Sequence, residues 1–219
     1  KTPGYKSFIM NTKIKSLFAL AGTVVFFSIL VIIARAAVSE VSPMLLLFIR
    51  MFVAAVAFLP FLLKSKVWQK PKINNLILVS LLSTINLVFF IWGIQYTSAS
   101  TSQLIYAAQP ILAIIVGTYI YKQKYSSLSI IGVLLGLAGL GIIIIHSAVD
   151  KGETIAGGIV GNIAVTIAML GWFWYIMLSK KLSKYFSPTE IASVSVFVSL
   201  VISVVLLFLQ TVLNPIHIV

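Results

Sequence analysis

Four residues in "SASTSQLIYAAQPILAIIVGTYIYKQKYS", residues 98–126, could do chemistry that their apolar neighbours cannot. Gln103 and Gln109 bring amide donors and acceptors, Tyr106 brings a phenol, and Pro110 removes a backbone N–H. At about 100° per residue these four share roughly a third of a helix circumference with Ser102, Ala113 and Gly117. The opposite face is Leu104, Ile105, Ala108, Leu112 and Ile115. Such a stripe either lines a polar cavity, its amides and phenol hydrogen-bonding a polar metabolite, or packs against neighbouring helices. Several large polar groups exceed what close packing needs, so a cavity wall is the expectation. Pro110 leaves a carbonyl near residue 106 without its donor, tolerable at membrane depth only where protein or cavity water faces it, and a kink is expected there.

Other candidate substrate-binding groups lie in other apolar runs. Asn86 is a buried amide that either meets solute or bonds a neighbouring helix. Trp172, Trp174 and Tyr175 sit too deep for an interfacial belt. The two tryptophans point about 160° apart, so at most one of them, taken as Trp172, walls a cavity together with Tyr175. Arg50 lies roughly 10 Å inside its helix; it either snorkels, bonds backbone carbonyls, or meets an anionic group such as a substrate carboxylate.

The elements that must carry these groups are membrane helices. The chain is 219 residues long, 60% hydrophobic and 9% charged, with a mean hydropathy of +1.12. Seven apolar runs, 15–35, 43–63, 73–95, 100–121, 126–147, 157–179 and 189–210, each approach the ~20 residues that cross a bilayer. They are continuous rather than alternating, which excludes a barrel and predicts an all-α polytopic membrane protein. With no cysteine there is no disulfide frame and no thiolate metal site.

The net charge of +12 is a topology signal rather than a nucleic-acid signal. Lys1, Lys6, Lys13 and Lys15, then Lys64, Lys66, Lys70 and Lys72, then Lys122 and Lys124, then Lys180, Lys181 and Lys184 fall in alternate loops. The intervening loops hold Arg35, Lys151, Glu40, Asp150 and Glu153. The positive-inside rule therefore predicts a cytoplasmic amino terminus in the inner or plasma membrane. The first run is too long for a signal peptide and lacks a cleavage site, so it is expected to be retained; Met10 could be a translational start.

The chain also repeats itself. "IIARAAVSEVSPMLLLF" resembles "MLSKKLSKYFSPTEIAS", with Pro188 following Pro43 by 145 residues and the same offset relating Arg35 to Lys180 and Ser42 to Ser187. Five helices separate the copies, so the second unit is inverted relative to the first, a recurrent design of secondary transporters. The expected organisation is a cytoplasmic segment 1–14, a first five-helix repeat 15–147, and the first two helices of a second repeat, 157–219. About seven of an expected ten helices are present, and truncation is expected rather than a partner supplying the rest.

Several of these segments resemble the EamA-type transporters of the drug/metabolite transporter superfamily. The similar features are Tyr96–Ser100 at the turn into the fourth run, Pro110 within it, Gly132, Gly139 and Gly141 in the fifth, "RAAVSEVSPMLLLFIR" ending at Arg50, and "GWFWYIMLSKKL". The resemblance implies a ten-helix bundle that moves amino acids or other small metabolites, often outward. A glutamate common in that family falls on Gln123 here, which puts any role of that carboxylate in doubt.

The leading expectation is a transporter working by alternating access, with membrane lipid and a small-molecule substrate as partners, a homodimer as a possible assembly, and no nucleic acid. Glu40, Asp150, Glu153 and Glu190 all lie near run ends, which favours facilitated diffusion or exchange over a buried carboxylate relay. An intramembrane enzyme would need a convergent acid/base or metal set that is missing from the runs, and a seven-helix receptor would need the opposite topology. His146 and His217 stand alone, so neither a metal nor a cofactor is expected. "GLAGLG" lies inside an apolar run without strand or basic partner; Gly132, Gly136, Gly139, Gly141, Gly157 and Gly161 are expected to make close helix contacts.

Overall fold

The computed structural model describes residues 17–18, 20–26, 28–29, 32–33, 36–37, 40–151 and 158–213. The expected segment 1–14, Arg35, Glu153, Gly157 and His217 lie outside the described residues, as do the side chains of His146 and Asp150. The described residues between 17 and 37 are helical. Seven helices follow: α1 (Pro43–Lys64), α2 (Ile73–Gly93), α3 (Ala99–Ala107), α4 (Gln109–Tyr119), α5 (Ser127–Lys151), α6 (Ile159–Leu182) and α7 (Pro188–Leu213), with a single 3₁₀ turn at Val67–Gln69. Five spans among the described residues are long and apolar enough to cross a bilayer: α1, α2, α3 with α4, α6 and α7. Leu63, Leu135 and Phe208 are among the large apolar side chains exposed on their outer faces, as lipid contact requires. The molecule is an all-α polytopic membrane protein.

Each Ser-Pro pair starts a helix by the same local chemistry. Ser42 caps α1 by accepting the Leu45 N–H at 3.3 Å, and Pro43 occupies the first turn, where a missing N–H costs nothing. At α7, Ser187 Oγ accepts the Glu190 N–H at 3.2 Å while the Glu190 carboxylate accepts the Ser187 N–H at 2.7 Å, a reciprocal capping box. The two caps lie at opposite ends of the bundle. Ser42 approaches Gln210, near the end of α7, at 3.5 Å, so α1 and α7 run antiparallel.

The lysine loops gather at one end. Lys70 pairs with Glu190 at 2.8 Å, Lys72 donates to the Tyr185 phenol at 2.7 Å, and the Lys181 ammonium lies 4.9 Å from the Tyr121 ring. These contacts join three of the four lysine-rich segments, as the alternation of charge along the chain requires.

At the centre, α2 packs antiparallel on α6 and parallel to α7. The contact with α6 is close because glycine permits it. A Cβ on Gly161 would lie 2.6 Å from the Tyr96 carbonyl carbon and 2.8 Å from the Thr97 nitrogen; one on Gly93 would lie 2.9 Å from the Ala164 Cβ. Small residues let backbones approach where lipid supplies no hydrophobic drive between helices. Among the described residues, Gly132, Gly136, Gly139 and Gly141 meet nothing within 4 Å. Their α5 touches the described bundle chiefly through α3, leaving its glycine positions open.

Because backbone atoms cannot yield to a new side chain, Gly161→Val should destabilise the bundle by about 1–3 kcal/mol. Thermal unfolding of the detergent-solubilised protein should show the lower Tm.

Candidate functional site

The fourth run is a discontinuous helix. Helix α3 ends at Ala107, Ala108 forms a turn (φ −72°, ψ −14°) whose N–H bonds the Ile105 carbonyl three residues back, and α4 restarts at Gln109. The loosening expected at Pro110 takes the form of a one-residue interruption at Ala108, whose backbone stays in the right-handed helical region. Proline sits in the first turn of the second segment, where its fixed φ suits helix initiation and its missing N–H breaks no bond. Helix α6 runs alongside both segments, and Ala108 at the junction is half-buried while Pro110 is exposed.

Beside the break, Asn86 of α2 spends both amide protons. One goes to the Tyr106 phenol oxygen of α3, the other to the Ala168 carbonyl of α6 at 2.9 Å. Three helices are thereby tied at one amide. Tyr106 meets Phe90 edge-on, with ring centroids 5.7 Å apart. Its phenol accepts from Asn86 and has no acceptor for its own proton among the described residues. Gln109 reaches the next carbonyl of α6, donating from Nε2 to Met169 at 3.4 Å. Asn86 and Gln109 therefore bond successive carbonyls on one turn of α6, with Tyr106 joined to that turn through Asn86.

The remaining candidates divide. Trp172 and Tyr175 stack with centroids 5.3 Å apart, one to two turns along α6 from Ala168, while Trp174 turns away to meet Phe173. Gln103 is half-buried and makes no side-chain hydrogen bond among the described residues. Arg50 is half-buried on α1, outside the Asn86 cluster, and no carboxylate pairs with it among the described residues. At Gly117 the expected cavity arc is closed: Tyr125 folds back over that glycine and shares its one hydroxyl proton between the Ala113 carbonyl at 3.1 Å and the Gln123 Oε1 at 2.9 Å.

A second polar seam was not among the expected site residues. Ser80 bonds Ser195 at 3.0 Å and Thr84 bonds Ser199 at 2.8 Å, while Ser195 also donates to the Tyr175 phenol at 3.2 Å. Both α2–α7 pairs are 115 residues apart in sequence, so the two helices run parallel in register. The signal was present as hydroxyls four residues apart, Ser80 and Thr84 on α2 and Ser195, Ser199 and Ser203 on α7. At the far end Thr97 donates to Asn162 at 2.6 Å and the Gly158 N–H to the Tyr96 carbonyl at 2.8 Å, fixing the turn into α3 against α6.

A membrane bundle with a broken helix and an inward cluster of neutral donors defines a class, helical membrane proteins with a polar interior at mid-span. Residues 14–145 match the model of the EamA-like transporter family. The chain belongs to that family, which points to a transporter rather than an enzyme. It is similar to the uncharacterized transporter YetK of Bacillus subtilis (strain 168), with 27% identity over 52% of this chain and 33% of the relative. It is 23% identical to an uncharacterized transporter of Clostridium kluyveri over 75% of this chain and 55% of the relative. An uncharacterized transporter in the sor 3' region of Acidianus ambivalens is 26% identical over 55% and 45% respectively. The chain thus spans between a third and just over half of these relatives' lengths. No solved structure matches it.

If the Asn86–Tyr106 bond ties α2 to α3, Asn86→Ala and Tyr106→Phe should be non-additive. A double-mutant cycle in chemical unfolding should return a coupling of about 0.5–2 kcal/mol.

Proposed function

We propose that this protein is a secondary transporter that carries amino acids or other small polar metabolites outward across the cell membrane by alternating access between two inverted repeats. The observation that carries the reading is the break at Ala108, set beside Asn86, Tyr106 and Gln109. Interrupted helices with convergent polar groups near mid-bilayer are where secondary transporters bind solute. In this reading the Tyr106 hydroxyl donates to the solute, Gln109 exchanges its long bond to Met169 for a solute contact, and the Trp172–Tyr175 stack walls the path. Asn86 orients Tyr106. Arg50 is reserved for an anionic group of the solute, and Gln103 for a polar contact further along α3.

The opposed Ser-Pro caps support the inverted arrangement, with a first repeat over 15–147 and a second beginning at 157. The common end of the lysine loops supports a cytoplasmic amino terminus. Glu40 is exposed and Glu190 is tied to Lys70, so the described spans offer no deep carboxylate for proton coupling, which favours exchange or facilitated diffusion.

Proteoliposomes containing the intact protein should exchange radiolabelled amino acids above empty vesicles. Tyr106→Phe and Gln109→Ala should each slow that exchange by about 2- to 10-fold, the value of one neutral hydrogen bond, while membrane insertion is unchanged. Unchanged kinetics in both variants would return the stripe to helix packing.

A further inference from the structure

The lysine-rich end carries a cavity whose lining includes none of Asn86, Tyr106 and Gln109. It has a volume of about 470 Å³ and lies between the start of α2 and the end of α6, lined by Lys72, Asn75, Leu78, Leu178, Lys181 and Tyr185 among others. Its chemistry changes along its length. Lys72, Lys181, Asn75 and Tyr185 bring donors, whereas Leu78 and Leu178 make an apolar wall. Leu78 stands six residues along α2 from Lys72, about 9 Å at the helical rise, and is 62% exposed toward the hydrocarbon side.

Among the described residues, one carboxylate pairs with a lysine at this end. Glu190, the acidic residue nearest in the fold, is held by Lys70 at 2.8 Å and by the Ser187 N–H, and no carboxylate lines the cavity. Lys72 adopts φ 69°, a left-handed conformation uncommon for lysine, and its ammonium lies 2.7 Å from the Tyr185 oxygen and 4.1 Å from that ring's centroid. One ammonium proton is used there and two remain. The same hydrogen bond, helped by the charges of Lys72 and Lys184, holds the Tyr185 phenol below its usual value of 10.0. Lys181 rests against the Tyr121 ring, a contact that leaves its protons available.

We propose that this cavity binds one anionic phospholipid of the adjoining leaflet, its phosphate between Lys72 and Lys181 and an acyl chain along Leu78 and Leu178. Basic pockets between membrane helices suit such headgroups. A zwitterionic lipid would fill the apolar wall without answering the charge, and a soluble anion would answer the charge without needing the wall. The proposal is independent of what the protein carries.

Native mass spectrometry of the intact protein, supplied with equal dioleoyl-phosphatidylglycerol and dioleoyl-phosphatidylcholine, tests it. The wild type should retain the glycerol lipid about 10-fold over the choline lipid. Lys72→Gln with Lys181→Gln should abolish the preference, Lys181→Gln alone should reduce it without touching the backbone at Lys72, and Lys64→Gln with Lys66→Gln should preserve it. Equal retention of both lipids by the wild type, or an unchanged preference in the Lys72/Lys181 variant, would overturn the proposal. So would displacement of the glycerol lipid by inorganic phosphate, which would assign the lysines to a soluble anion.

Discussion

The close antiparallel contact of α2 with α6 is the constraint on which the rest of this bundle depends. Lipid tails are as apolar as leucine, so two helices gain little by hiding leucines from them; they gain by bringing backbones close. Gly161 lies under the Tyr96–Thr97 backbone, Gly93 under Ala164, and Gly171 under the Leu82 carbonyl. Asn86 is short, with one carbon between backbone and amide, and it reaches the Ala168 carbonyl only because the helices approach this closely. The same proximity fixes the turn before α3 through Thr97 and Asn162. The position of the polar site is thus a consequence of three missing side chains.

Polar groups inside this bundle divide into those that bind helices together and those left with capacity. Ser80, Thr84, Ser195 and Ser199 satisfy one another across α2 and α7, and Asn86 has given up both its protons. Tyr106 and Gln103 have not, and Gln109 makes a long bond that a better acceptor could replace. In hydrocarbon an unused donor is costly, so groups with spare capacity beside a helix break fit a path that water or solute enters. Arg50 follows the same logic with a full charge, half-buried on α1 with no carboxylate paired to it among the described residues.

Much of the fold was legible because membrane constraints act on single residues and short runs. Apolar length announced the spans, and lysine content announced which of the described loops share an end. What was hidden depended on neighbours. Helical periodicity puts Gly117 on the polar arc, but only the chain's return through Tyr125 decides that this part of the arc is closed. The α5 glycines looked like a packing stripe, a property that requires a second helix to be true, and none approaches them among the described residues. Pro110 marked the break to within two residues, but it stands at a helix start rather than at an interior kink. The hydroxyl seam was readable as a four-residue period on each helix, yet nothing local says that α2 and α7 face each other.

The Ser-Pro caps carry the argument about symmetry furthest. Both helices that they start solve the same problem with the same residues, an oxygen for an orphan N–H and a proline where no N–H is needed. The first lies at the end away from the lysines and the second among them, and the helices that follow, α1 and α7, pack side by side in opposite directions. A two-fold axis in the membrane plane would put equivalent helices into that relation. The charges differ where the environment differs: Glu190 completes the second cap and also meets Lys70, whereas the first cap has no acid in its first turn and no lysine-rich loop to face. One local motif, placed at either end of a bundle whose two faces carry different charge, thus keeps its capping chemistry and exchanges its electrostatic partners. That is how a repeat that turns over in the membrane would have to diverge.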